Sequence, residues 1–151
     1  MKVEVDIKIK AKKEVVWAVI TDIANAQNVI TGILDLEVLE KPKDKDGLVG
    51  FKWRETREMF GKESSETMWI TEAVENTYYV VHAQSHGSLY ISRLTLKEED
   101  NQMILGMSFF AEGQTFISKI LSSIMGFMIK GSMKKMLYKD LEDIKEYVEN
   151  K

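Results

Sequence analysis

Between Gly32 and Glu112 the chain offers one strand-length run after another, with no room for a crossover helix. The first opens at Gly32 and passes through Leu34, Leu36 and Val38, and PKDKDG, residues 42–47, ends it as a turn. Further runs begin at Phe51, Lys62, Thr77, Ser88 and Gln102, parted by turn signals at Glu75-Asn76, His86-Gly87 and Asp100-Asn101. Short connections of this kind join antiparallel neighbours, because a parallel pair needs a long crossover. The last run sets Met103, Leu105, Met107 and Phe109 in strict alternation, which marks an inward face.

The ends of the chain complete the pattern. Val3, Val5, Ile7 and Ile9 alternate with charged residues as a first strand with one buried face. Helical spacing follows over 12–21, with Val15, Val16, Val19 and Ile20 on one side, and Asp22 is the expected cap of a second short helix through Ile30. Residues 115–150 are helical in pattern but carry two apolar sets. Phe116, Ile117, Ile120, Leu121, Ile124, Met125, Phe127 and Met128 form a wide stripe, while Met133, Met136, Leu137, Leu141, Ile144, Tyr147 and Val148 fall about half a turn away. A break at Gly126 or Gly131-Ser132 is therefore predicted, so that both sets can be covered. The resulting class is α+β: a curved antiparallel sheet of about seven strands in the order β-α-α-β6-α, with a long C-terminal helix.

At 151 residues the chain suits a single domain, 1–151, and no Pro- or Gly-rich linker divides it. A net charge of -3 gives no electrostatic reason to bind nucleic acid. The absence of cysteine removes disulfides and thiolate chemistry, and the charged N-terminus lacks the apolar core of a secretion signal, so a cytoplasmic protein is expected. Ser118, Lys119, Ser122 and Ser123 interrupt the greasiest segment, so no membrane-spanning helix is expected.

A metal site is not expected either. His82 and His86 share a strand face but stand about 13 Å apart at ~3.3 Å per residue, too far to ligate one ion. His82, with Tyr78 on its face, could act alone as a general acid or base, or be an ordinary structural or surface histidine. No phosphate loop, nucleophile elbow or dinucleotide fingerprint occurs. Lys134, Lys135 and Lys139, with Asp140, Glu142 and Asp143 after them, read as the wet face of the last helix.

The stretch FKWRETREMFGKESSETMW, residues 51–69, is a β-hairpin around Phe60-Gly61-Lys62. A turn at Gly61-Lys62 would pair Phe60 with Glu63, Arg57 with Glu66, Trp53 with Ile70 and Arg54 with Trp69. One face then carries Phe51, Trp53, Glu55, Arg57, Met59, Ser64, Glu66, Met68 and Ile70, greasy at one end and charged at the other. Either Glu55, Arg57 and Glu66 form the polar wall of a cavity, where Arg57 could grip a ligand carboxylate or phosphate, or they lie on an exposed tip. The second is favoured, because hairpin ends commonly project from the core. Arg54 on Trp69 would be an outer-face cation–π contact.

Three stretches carry a family likeness: VEVDIKIKAKKEVVWAVITDI, LVGFKWRETREMFGKESSETMWI and FMIKGSMKKMLYKDLEDIKEYVE. With the element order they make the chain resemble the helix-grip fold of the START-like superfamily, which includes lipid-transfer and polyketide cyclase/dehydrase-like proteins. The resemblance implies an elongated apolar cavity between the sheet and the last helix, holding a hydrophobic small molecule such as a lipid, an aromatic or a polyketide. The methionines at 59, 68, 103, 107, 125, 128, 133 and 136 suit a lining that adapts to its guest, and equally suit ordinary core filling.

The expected ligand-binding residues on the sheet are Phe51, Trp53, Glu55, Arg57, Met68, Ile70, Tyr78, His82, Met103, Leu105, Met107 and Phe109. Those on the helix are Ile117, Ile120, Leu121, Ile124 and Met128. No catalytic residue and no cofactor is assigned. A non-enzymatic carrier or sensor leads, with two alternatives: a polyketide cyclase/dehydratase-like or hydrolytic enzyme, and an interaction module whose apolar arc, 116–128, docks a protein, a membrane or a second copy. Monomer and homodimer both stay open.

Overall fold

The computed structural model describes residues 1–85, 88–112 and 124–150. Strand β1 (Lys2–Ile9) leads into helix α1 (Lys13–Thr21) and a 3-10 helix (Ile23–Asn28). Strands β2 (Ile33–Glu40), β3 (Lys52–Met59), β4 (Lys62–Val74), β5 (Tyr78–Ser85), β6 (Ser88–Glu99) and β7 (Gln102–Glu112) follow, and helix α2 (Ile124–Glu149) comes last. All seven strands belong to one antiparallel sheet, ordered β1-β7-β6-β5-β4-β3-β2. The first two strands of the chain are thus its two edges, and the short helices between them bridge its width.

The tight turns follow from local chemistry. Asp100 and Asn101, at φ 52° and 63°, link β6 to β7 in the left-handed conformation that short polar side chains tolerate. At the β3–β4 hairpin the turn residues are Phe60 and Gly61, at φ 53° and 81°, not Gly61 and Lys62. Positive φ at both central residues defines the type I′ turn, whose second position favours glycine. Glu55 therefore faces Glu66, Arg57 faces Ser64, and Trp53 faces Met68. The partners differ from expectation by two residues, so every side chain keeps its predicted face.

Register shifts at Ile33/Asp35 and Val38/Glu40 of β2, and at Ile70/Glu72 of β4, break the regular ladder. Such bulges bend a strand and add twist, which helps the sheet to curl. Ile33, opposite Arg57, is buried, whereas Leu34 at the first shift is exposed, as is Val38 opposite Trp53.

Inside the curl, Val3, Val5 and Ile9 of β1, Leu94 and Leu96 of β6, and Met103 and Leu105 of β7 are buried. They belong to one core with Val16, Val19 and Ile20 of α1 and Met133, Leu137, Leu141, Ile144 and Val148 of α2. Leu141 is fully buried, a transfer worth roughly 2 kcal/mol. Val15, expected on the buried side of α1, is exposed, and Asp22 makes no side-chain capping bond to the 3-10 helix.

Helix α2 corrects the expected break, since it runs through Gly126, Gly131 and Ser132 without interruption. Each glycine costs ~1 kcal/mol of helix propensity, which the packing of five buried apolar side chains further along α2 outweighs. The far end is also pinned by polar bonds. The Lys10 amide donates to Glu149 at 2.9 Å, and Lys145 Nζ donates to the Lys8 carbonyl at 2.7 Å. Asp143 Oδ2 accepts from the Thr31 amide and hydroxyl at 2.9 and 2.7 Å.

Candidate functional site

The sheet's inward face changes character along β3, from Trp53 to Glu55 and Arg57 and then to Met59. Alternation puts all four on the same side, where Ser64, Glu66 and Met68 of β4 join them. Tyr79 and Val81 of β5, Tyr90, Ser92 and Leu94 of β6, and Met107, Phe109 and Ala111 of β7 extend the wall. Ile20, Ile23 and Val29, with Ile129, Met133, Met136 and Leu137 of α2, close the other side. Between them lies a predominantly apolar cavity of about 270 Å³. That is close to the lower end of small-molecule pockets, which run ~300–1,000 Å³.

Aromatic groups give the cavity shape. Tyr90 and Phe109 stack with ring centroids 5.6 Å apart and planes 22° apart. The buried Tyr79 donates its hydroxyl to the Ile20 carbonyl at 2.8 Å and meets Trp17 edge-on. Burial, reinforced by the charge of Glu55, holds the Tyr79 hydroxyl well above the usual phenol range. Burial also pushes Tyr90 up, with the charge of Glu66 adding to it.

One wall is ionic. Arg57 Nε donates to Glu55 Oε2 at 2.7 Å, while Nη1 and Nη2 donate to the two Asp140 oxygens at 3.1 and 2.9 Å. Trp53 Nε1 points at the other Glu55 oxygen, 3.5 Å away. Glu55 and Asp140 are buried, and the Arg57 side chain is only 14% exposed. Burial alone would lower the Arg57 pKa, but the charges of Glu55 and Asp140 and the bonds to them raise it, so the guanidinium stays ionised. Burial pushes the Asp140 carboxyl up, and Arg57 offsets this only in part.

The expected residues divide. Trp53, Glu55, Arg57, Met68, Met107 and Phe109 line the cavity together. The charged trio is thus part of the wall and not an exposed hairpin tip, and Arg57 is paired with Glu55 and Asp140 where Glu66 was expected. Ile70, Met103 and Leu105 face inward but are packed into the closed core, and Phe51 lies against that core. Tyr78 and His82 are corrections: β5 buries Tyr79, Val81 and Ala83, so the alternate residues point to the convex face. There Tyr78 bonds Glu72 under Arg93, and His82 lies beside Trp69. Arg54 pairs with Glu37 instead of Trp69.

Met128 is 66% exposed and does not reach the cavity. Ile117, Ile120 and Leu121, the side chain of Ile124 and His86 lie outside the described residues, as does most of the apolar arc 116–128. Asp140 and Asp143, which follow the lysine run expected on the wet face of the last helix, are both buried. Their helical spacing held the signal: Met133, Leu137, Asp140 and Ile144 fall on one stripe, and so do Met136, Asp143 and Tyr147. Among the described residues, no group of three or more His, Asp or Glu could hold a metal ion, and no helix is long and apolar enough to cross a membrane.

A curled sheet around a terminal helix, enclosing a pocket, defines a START-like protein. The chain belongs to the family described as polyketide cyclase / dehydrase and lipid transport, which it matches over residues 1–149. Among solved structures, a START superfamily protein from Mycobacterium smegmatis is similar at a TM-score of 0.79 and 14% identity, covering 99% of this chain and 97% of that one. The Zhui aromatase/cyclase from Streptomyces sp. R1128 is similar at 0.73 and 13% identity, covering 99% and 93%. The protein TTHA0849 from Thermus thermophilus gives 0.72 and 14%, covering 95% and 97%. At these identities the likeness is one of fold. Nothing matches among the curated proteins.

Proposed function

We propose that the protein is a carrier or sensor that binds a compact hydrophobic small molecule between the sheet and α2. The observation that carries this reading is the cavity of about 270 Å³ with its mainly apolar lining, in a family that includes lipid transport. Its size, as bounded by the described residues, favours a single aromatic or short aliphatic guest over a two-chain phospholipid. Met68, Met107, Met133 and Met136 on the lining can change rotamer to fit guests of different outline. Native mass spectrometry of the purified protein, with organic extraction of whatever it carries, tests the reading. A co-purifying or added apolar compound at one per chain is expected, and failure to retain any would remove the proposal.

A second reading, a cyclase- or dehydratase-like enzyme, draws on the ionisable groups inside the pocket. Glu55, Asp140 and Tyr90 line it, and a proton shuttle needs such a group in contact with substrate. The carrier is preferred because much of that polar capacity is turned inward: Arg57 holds Glu55 and Asp140, and Tyr79 holds Ile20. Turnover of a polyketide-like substrate that Glu55→Gln abolishes, with the fold intact, would reverse the preference.

A further inference from the structure

We propose that the ionic wall selects a guest whose polar end donates hydrogen bonds, such as a hydroxyl, a phenol or an ammonium, and rejects one that ends in a carboxylate or phosphate. This rests on the binding of an apolar guest proposed above and specifies its head group.

Arg57 invites the opposite conclusion, because a guanidinium beside an apolar pocket is the usual grip for a carboxylate. Here that grip is taken. The bidentate edge of Arg57, Nη1 and Nη2, already holds both Asp140 oxygens, and its Nε holds Glu55. An incoming anion would have to displace Asp140, leaving that buried carboxylate next to Glu55 without its partner.

The charge count points the same way. Among the described lining residues, Glu55, Glu66 and Asp140 stand against one guanidinium, that of Arg57, and Glu66 lies directly across the β3–β4 ladder from Glu55. Even with Asp140 protonated the wall is not positive. Among the described lining residues the other cation is the Met1 amino group, which sits by the Ala111 carbonyl at the β1 edge, five strands from β3 in the sheet order.

Hydrogen-bond capacity agrees. A carboxylate offers roughly four lone-pair sites and a guanidinium five N–H donors, so Glu55 and Asp140 together hold more acceptor sites than Arg57 and the Trp53 indole N–H can fill. A donor arriving from the guest meets spare acceptors, whereas an anion meets like charge in a poorly solvated wall.

Three probes sharing one ring system separate the possibilities: 2-naphthol, 2-naphthylmethylamine and 2-naphthoate, each titrated into the whole protein by calorimetry at pH 7. Naphthol and the amine are expected to bind, with naphthoate weaker than naphthol by about tenfold or more, since like charges brought together are strongly unfavourable where water is scarce. Naphthoate binding as well as naphthol would overturn the head-group inference while leaving the apolar carrier intact. Binding of none of the three would overturn both. Glu66→Gln, which leaves the Arg57 bonds to Glu55 and Asp140 in place, is expected to narrow the gap between naphthol and naphthoate, and an unchanged gap would count against the inference.

Discussion

Arg57 and Asp140, 83 residues apart in the chain, meet through two parallel hydrogen bonds that tie β3 to α2. The pair sits in the wall of the cavity, so the contact that positions the helix also forms the pocket's polar surface.

Removing one partner should therefore be costly. Asp140→Ala leaves Arg57 with Glu55 alone and is expected to lower stability by about 3 kcal/mol, the lower part of the range for broken buried pairs because one carboxylate remains. Urea denaturation of the variant against the parent measures it. A loss under half that size would mean that water enters and solvates the guanidinium.

Asp143 gives a pH dependence of definite sign. Burial pushes its carboxyl up, but bonds from Lys139 and from the Thr31 hydroxyl and amide outweigh this and hold it below the ordinary carboxylate range. A folded pKa below the unfolded one means that Asp143 contributes stability above its unfolded value, near ~3.9, and loses it as the pH falls through the folded value. Stability measured at intervals from pH 6 down to pH 2 should fall less steeply in Asp143→Asn than in the parent.

The Thr31 hydroxyl can be tested separately. Thr31→Val keeps the shape and the backbone bond to Asp143 but deletes the hydroxyl donor, with an expected cost of about 1.5 kcal/mol for a hydrogen bond to a charged group. Thermal melts of the single variant and of the double variant with Asp143→Asn should show non-additive losses.

Phe60 occupies a left-handed turn position that suits asparagine far better, and it is 65% exposed. Phe60→Asn would create the preferred Asn-Gly type I′ pair and is expected to raise stability by about 0.5 kcal/mol or more. If the melting temperature rises while naphthol affinity drops, Phe60 serves the cavity, whose lining it joins, at the expense of the turn.

Met107→Trp would fill the cavity from the centre of β7. It is expected to lower naphthol affinity at least about tenfold with the far-ultraviolet circular dichroism unchanged. Retained affinity would place the guest elsewhere.

The architecture was legible because most strands carry their own alternation and the turns their own residues. The β3 face was legible for the same reason: period 2 alone puts Trp53, Glu55, Arg57 and Met59 together. Partners across the hairpin depended on which turn position Gly61 takes, a choice that type I′ preference decides. The inward face of β5 is not legible from Tyr78 and His82, because β5 is apolar and aromatic on both sides and alternation there does not say which face is inward. Asp140 is not legible in the sequence because local charge, with Lys139 before it and Glu142 after, outweighs its place on the apolar stripe. Its partner lies on a distant strand, and nothing in the helix itself announces a buried acid.

The irregular ladder of β2 has a consequence for neighbours. Two shifts in its pairing, together with the exposed acids Asp35, Glu37 and Glu40, spoil the flat row of backbone donors and acceptors that another extended segment would need for docking. A sheet that never closes into a full barrel would otherwise be sticky along that border, so the same distortions that help to hollow its concave side also keep its rim from recruiting a stray strand.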